Sequence, residues 1–433
     1  MPVNLKTGKI KLTNGYSFSN LSSFKMHWRI EEDGSRVAEG TVNCPDVPAG
    51  ESAEMDIRYK LPVPQSGKEY FLNLSIIRTE AWTILPAEHI YAAAQFKLPV
   101  YKDRLLLPLT DYGDLATTES KGKTTVKGRD FSITFDGANG QMVSLKFKGS
   151  ELVKEPMAPD FWRAPTDNDF GNGLPELSST WKDAGKNAKL VKSRFEQPNP
   201  RLAVFDFGFA LSDSLGLFAT VGLRYKIYGT GDIMVEYQFE KKRDSLPEIP
   251  RIGLNLVLRK EFDKAKWYGR GPGENYWDRK SASFISLYKN SVSNLYTPYI
   301  RPQENGYRTD VRWLSLTNGK GQGLLIIGEP LICFSAHYNK REDFTSLHRN
   351  YDERLKNPAQ FNRHTVDVVP QDLVSLYIDL GQMGVGGDNS WGAKTHPEYR
   401  IERKGYQYRF RLKPIGLIDG EHKLARQRID GFN

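Results

Sequence analysis

The feature that most constrains this chain is a period-2 alternation of apolar and polar residues. It recurs along most of the sequence and is cut repeatedly by turn pairs such as Asn14-Gly15, Asp33-Gly34, Asn139-Gly140 and Asn318-Gly319. Successive side chains on a strand point to opposite faces, so Phe24, Met26 and Trp28 give one segment a face to bury, as do Leu72, Leu74 and Ile76 in another. The same pattern returns in Val143, Leu145, Phe147, then in Ile233, Val235, Tyr237, Phe239, and again in Tyr406, Tyr408, Phe410, Leu412. Helical periodicity is scarce, and Thr180 to Leu190 is its best stretch. A (β/α)₈ barrel needs eight strand–helix alternations over about 250 residues, and nothing here supplies them. The expected fold class is all-β.

A chain of 433 residues exceeds the size at which one hydrophobic core usually stops growing, so at least two domains are expected. Residues 1–99, with turn signals at 14–15, 33–34, 47–50 and 65–67, read as a small antiparallel β-sandwich with Trp28 in its core. Residues 100–118 read as a linker in which Leu105, Leu106 and Leu107 can fasten the domains together. Residues 119–415 read as one large antiparallel sandwich, and 416–433 as a polar tail. The strand-like Lys9 to Leu12 runs straight into Asn14-Gly15, as though further sequence preceded it.

Composition removes several classes of function. The net charge of +9 arises from 61 basic residues scattered among 52 acidic ones, and the densest run, Lys241-Lys242-Arg243, is short. That describes a mildly basic solvated surface, and no nucleic-acid signature accompanies it. No apolar run of about 18 residues occurs and no basic-then-apolar leader follows Met1, so no membrane partner is expected and no compartment is indicated. Cys44 and Cys333, far apart in sequence, offer neither a disulfide framework nor a paired-cysteine metal site. Asp167, Asn168 and Asp169 begin like a calcium loop, but Gly171 stands where an oxygen ligand is needed. Gly269, Gly271 and Gly273 lack the spacing of a phosphate loop. No metal and no cofactor is expected in this chain.

Four blocks are richer in aromatic, charged and amide residues than scaffolding requires: Phe161–Gly173, Trp267–Arg279, Tyr296–Arg308 and Met383–Trp391. They suit either a shaped polar cleft or long loops pinned by their own side chains. Glu274, Asp278 and Glu304 are carboxylates within them, and Glu274 with Arg279 and Glu304 with Arg308 are equally explained as ion pairs that pin loops. The last block, MGVGGDNSW, ends a glycine-lined polar turn in Trp391. Its glycines permit a sharp bend or a close approach, while Asp388, Asn389 and Ser390 can bond back onto the loop. Trp391 is then either a surface indole able to pack on a pyranose ring or a core residue beside a turn.

The GPGENYWDR, YTPYIRPQENG and GVGGDNSW segments, in this order, resemble the C-terminal region of glycoside hydrolase family 2 β-galactosidases, and the resemblance spans all but the final tail. One departure is Asn389, where the family commonly carries Asp. The resemblance implies that 1–99 is an immunoglobulin/fibronectin-like sandwich and that 119–415 is a large galactose-mutarotase-like β-sandwich. It implies no catalytic residue in this chain, because the family's acid and nucleophile belong to a TIM barrel that is not among these residues. It implies Trp391 as a substrate-binding residue, and Asp388 of the same loop is the further substrate-binding candidate. The implied partners are a galactoside substrate and the missing N-terminal and TIM-barrel domains of the same enzyme, in an assembly that a homo-oligomer would fit. Two other readings are a stand-alone carbohydrate-binding module and a mutarotase-type epimerase. The second would use His337, His348 or His364 facing a carboxylate.

Overall fold

The computed structural model describes residues 1–108, 113–344, 364–389 and 392–429. They divide into two compact units: Met1–Leu107 with Phe284–Leu287 and His422–Asn433, and Pro108–Ser283 with Tyr288–Glu421. Both are built mainly of antiparallel strands, the helices among the described residues are of six residues or fewer, and the chain is all-β.

In the first unit a sheet in the order Ser35–Asn43, Lys25–Glu32, Tyr70–Ile77, Ile90–Lys97 accompanies a smaller one formed by Pro2–Asn4, Lys9–Thr13 and Ser52–Asp56. Met26, Trp28 and Ile30 from one strand meet Leu72 and Leu74 from its neighbour in a shared core with Ile10, which makes Trp28 a core residue. The Asp33-Gly34 pair closes its hairpin with φ of 47° and 81°, and positive φ at both central positions gives the twist that suits flanking strands. The segments expected as linker and tail carry structure of their own. Leu105–Leu107 and Gln427–Ile429 pair as parallel strands, the latter preceded by the short helix Glu421–Ala425.

In the second unit the main sheet runs Val153–Asp160, Arg251–Leu258, Val374–Gln382, Gly323–His337, Tyr406–Ile415, Ile233–Lys241, Gly216–Tyr228, Leu202–Asp213, Lys189–Asn199. The 15-residue strand Gly323–His337 pairs with Tyr406–Ile415 through its first half and with Val374–Gln382 through its second, joining the two halves of the sheet. A five-stranded sheet from Ala116–Ser120 to Ser150–Glu151 packs against it, with Phe135 lying 4.3 Å from Phe205 and 4.8 Å from Tyr225 between ring centroids.

Two local expectations are corrected. Val143 is skipped in the register between Gln141–Phe147 and Phe131–Asp136, so a bulge shifts the buried set to Met142, Leu145 and Phe147. Thr180 to Leu190 is not a helix. A 3-10 turn at Ser179–Trp181 leads through turns into the strand Lys189–Asn199. A Cβ at Gly185 would sit 1.8 Å from the Pro159 carbonyl oxygen, and Trp181 is sealed among Phe161, Phe218 and Phe239. These distant contacts outweigh the local helical tendency.

Candidate functional site

The four blocks meet within the second unit, where side chains of the first two clamp the backbone of residues 383–386. The first block turns from strand to helix at Thr166, whose hydroxyl accepts from Asp169 N (3.1 Å) while Asp169 Oδ2 accepts from Thr166 N (2.9 Å). This reciprocal capping box starts the helix Asp167–Asn172 and explains the acidic residues that open like a calcium loop. It also fixes Asp169 as the partner of Arg163, whose Nε and Nη2 donate to its two oxygens at 3.0 and 2.8 Å. The remaining donors of the fully buried Arg163 reach the carbonyls of Met383 (2.5 Å) and Gly384 (2.9 Å). Asn168 donates to the carbonyl of Val385 at 3.0 Å, and Asp278 of the second block accepts from Gly386 N at 2.7 Å. Four successive residues of the loop are thus held by three side chains from elsewhere in the chain.

The glycines of this loop serve approach. Gly384, Gly386 and Gly387 all avoid the left-handed region, but a Cβ at Gly384 would lie 2.6 Å from Asp278 Oδ2, and one at Gly387 would lie 2.5 Å from the Ala393 carbonyl oxygen. Further along, Asp388 is exposed and its carboxylate faces His396 Nε2 at 2.9 and 3.1 Å. That hydrogen bond, with the charges of Asp388 and Glu398, raises the His396 imidazole above its ordinary value. Asn389 Oδ1 accepts from Ala393 N at 3.3 Å. Ser390 and the expected substrate residue Trp391 lie outside the described residues.

Beneath the loop sits a buried ionic hub centred on Arg251, which is 1% exposed. Its guanidinium donates to Glu304 (3.0 Å) and to the Trp162 carbonyl (3.2 Å), lies 3.1 Å from Asp379, and stacks 4.3 Å from the Tyr377 ring centroid. Gln382 adds a hydrogen bond to Glu304 at 3.1 Å. Two carboxylates therefore share one guanidinium. Burial pushes the Asp379 carboxyl up to about 8 against the attraction of Arg251, with Asp160 and Glu304 adding repulsion. Burial also opposes the charge on Arg251, but the carboxylates led by Glu304 outweigh it and hold the guanidinium firmly protonated.

The candidate carboxylates are each bonded to groups of the surrounding loops. Glu274 binds Arg279 at 2.6 Å, as expected, and also accepts from Tyr299 Oη and from Gly306 N at 2.7 Å. The expected pairing of Glu304 with Arg308 is corrected. Glu304 turns to Arg251, while Arg308 donates to the carbonyls of Leu295, Gly306 and Pro272, and burial draws its guanidinium down to about 10. Of the candidate histidines, neither His337 nor His364 bonds a carboxylate through its ring among the described residues. His337 is 5% exposed, lies edge-on to Phe344 and donates from Nε2 to the Asn305 carbonyl at 3.1 Å. Burial lowers it to about 4, so it is neutral. His364 is exposed and caps the turn Thr365–Asp367, and His348 lies outside the described residues. Among the described residues no group of three or more His, Cys, Asp or Glu side chains could hold a metal ion.

Sequence reasoning missed Arg251 and Asp379, which lie on strands outside the four blocks. Their signal was a charge inside an otherwise apolar strand, in RIGLNLVL and SLYIDLG, because such a residue is seldom buried unless paired.

Residues 127–412 match the family model described as beta galactosidase small chain, and residues 10–99 match beta-galactosidase domain 4. A β-galactosidase of Priestia megaterium is 34% identical over 412 residues, covering 94% of this chain and 38% of the relative. One from Lactobacillus delbrueckii subsp. bulgaricus is 30% identical over 430 residues, covering 96% of this chain and 39% of the relative. The chain thus spans well under half the length of these relatives. Among solved structures, a galactose mutarotase related enzyme from Lactobacillus acidophilus superposes with a TM-score of 0.38 at 10% identity over 70% of this chain and 98% of its own, a likeness on which nothing further rests. The chain, through the match over 127–412, belongs to the beta-galactosidase small chain family.

Proposed function

We propose that this chain is the non-catalytic C-terminal portion of a β-galactosidase, in which it lends the loop 383–391 and a scaffold to the hydrolysis of terminal β-D-galactosides by residues outside these 433. The observation that carries this is the clamp. A connection between the strands Val374–Gln382 and Tyr406–Ile415 could run through solvent, yet Arg163, Asn168 and Asp278 hold its first residues in one conformation. Such fixing costs side-chain entropy and buried charge, and it serves a loop whose end must be delivered to one place. Trp391, at that end, stacks on the galactose ring, and Asp388 stands beside it. The whole enzyme works by double displacement through an oxocarbenium-like transition state, with its acid and nucleophile supplied by a barrel domain of the same enzyme. Of the buried carboxylates near the loop, Asp169 is paired with Arg163 and Glu304 with Arg251, and both pairs hold loops in place.

Purified chain mixed with nitrophenyl β-D-galactoside should show no turnover. In the complete enzyme, Trp391→Ala should raise KM by about tenfold, the loss of roughly 1.4 kcal/mol of ring stacking. Turnover by the isolated chain that disappears when one of its own carboxylates is substituted would overturn the proposal. An unchanged KM for Trp391→Ala would remove the role of the loop.

A further inference from the structure

Away from the clamp, the face of the large sheet opposite Phe205, Phe207 and Tyr225 holds a concavity of about 580 Å³. That volume falls within the range of small-molecule sites, roughly 300–1,000 Å³. Its floor is made by Gly208 and Gly222, which stand directly opposite each other on adjacent strands. Continuing the row across the next two strands, Gln238 faces Gly222 and Gln407 faces Gln238. Two residues along, Asp206, Arg224, Glu236, Arg409 and Glu329 follow one another in register over five strands with alternating sign.

The glycines require a reason. A glycine inside a strand gives up packing and costs about 0.5–1 kcal/mol of backbone entropy. Neither Gly208 nor Gly222 takes a left-handed φ, and a Cβ at Gly222 would rest 3.7 Å from that of Gln238, an ordinary contact. The sheet would accept a larger residue at 222, which leaves an open floor as the use of the glycine there. Around that floor the charges balance, with Lys192, Arg224 and Arg409 set against Asp206, Glu236 and Glu329. The ions are also ordered in advance: Arg224 binds Asp206 at 2.5 and 3.0 Å, and Lys226 binds Glu236 at 2.7 Å. A balanced field selects neither anions nor cations. Closely set donors and acceptors beside exposed Gln238 and Gln407 amides suit a ligand whose groups are neutral and do both.

We infer that this groove binds a neutral saccharide of one or two rings, laid on the glycine floor with its hydroxyl groups bonded to the Gln238 and Gln407 amides and the flanking ion pairs. The site is separate from the loop 383–391 and stands whether or not that loop reaches a substrate.

The test is a titration of the full chain, carrying ¹⁵N-labelled glycine, with lactose. The amide resonances of Gly208 and Gly222 should move, and Gly222→Val, which fills the floor and favours a strand, should raise the Kd by about tenfold or more. Trp391→Ala should leave this titration unchanged, so failure of the loop proposal and failure of this one give different results. Galacturonate and glucosamine should bind no tighter than lactose. No movement at either glycine, an unchanged Kd in Gly222→Val, or tighter binding of a charged analogue would each overturn the inference. Should Gly222→Val fail to fold, Gln407→Ala, at an exposed rim position, gives the same decision.

Discussion

Replacing Arg163 by Met removes a guanidinium that ties the helix Asp167–Asn172 to the loop at 383–384. The side chain is 0% exposed and donates to both oxygens of Asp169 and to the carbonyls of Met383 and Gly384. In Arg163→Met the Asp169 carboxylate, 3% exposed, keeps the Thr166 amide as a donor but loses its counter-charge. Breaking a buried pair from one side costs about 3–5 kcal/mol, and two abandoned carbonyls add about 1 kcal/mol each. The expected destabilisation is therefore about 5–7 kcal/mol, enough to threaten the fold of a unit whose total stability is of order 5–15 kcal/mol. Asp169→Leu removes the carboxylate instead and leaves the guanidinium with two carbonyl partners. The double variant leaves no buried charge behind, so it should be less destabilised than the sum of the single variants by at least about 2 kcal/mol. Urea unfolding of all four proteins, followed by circular dichroism and fitted for the transition of the larger unit, completes the cycle. A cost below about 1 kcal/mol for Arg163→Met, or strict additivity in the double variant, would refute the reasoning that this ion pair fastens the loop.

Other outcomes follow from the same geometry. Asp278→Ala leaves Gly386 N without its acceptor, so amide exchange at Gly386 should accelerate about tenfold or more, while core strands such as Ile233–Lys241 keep their protection. Gly381→Ala would place a Cβ 1.9 Å from the Trp277 ring, and a loss of about 1–3 kcal/mol in urea unfolding is expected. His337 has a folded value of about 4, below its unfolded value of about 6.5. Its contribution is thus present above pH 6.5 and is lost as pH falls through 4, on the order of 3 kcal/mol in all, and His337→Gln should flatten that part of the stability–pH curve. Asp379 has the opposite sign. Its folded value, about 8, lies above the unfolded one, so its contribution is present below about pH 4 and declines as pH rises through 8. Asp379→Asn should remove that decline, and an unchanged slope between pH 5 and 8 would contradict the burial of a surplus carboxylate beside Arg251.

Much of the architecture was legible because strand formation is announced locally. Tyr406, Tyr408, Phe410 and Leu412 alternate, and they form one strand; Asp33-Gly34 specifies a tight turn, and the turn is there. The expectation failed at Val143, where a bulge inserts one residue, and at Thr180 to Leu190, where Gly185 must lie against the carbonyl of Pro159. Both failures arise from contacts with residues remote in sequence. The same holds for the site. Its blocks stood out by composition, and the bond between Glu274 and Arg279, five residues apart, was foreseen. Glu304 had a nearby arginine available at 308 and instead bonds Arg251, 53 residues away.

What the amino-acid order determined alone is the alternation, the turns and hence the all-strand class, since each depends on neighbours within a few residues. Only the tertiary structure decided which charges share the interior, why Gly384 cannot be larger, and that Arg163 grips a loop 220 residues further along the chain. A buried ion takes whichever partner the packed strands bring within about 3 Å, and that choice is written in the register of the sheet, with no trace in the spacing of residues along the sequence.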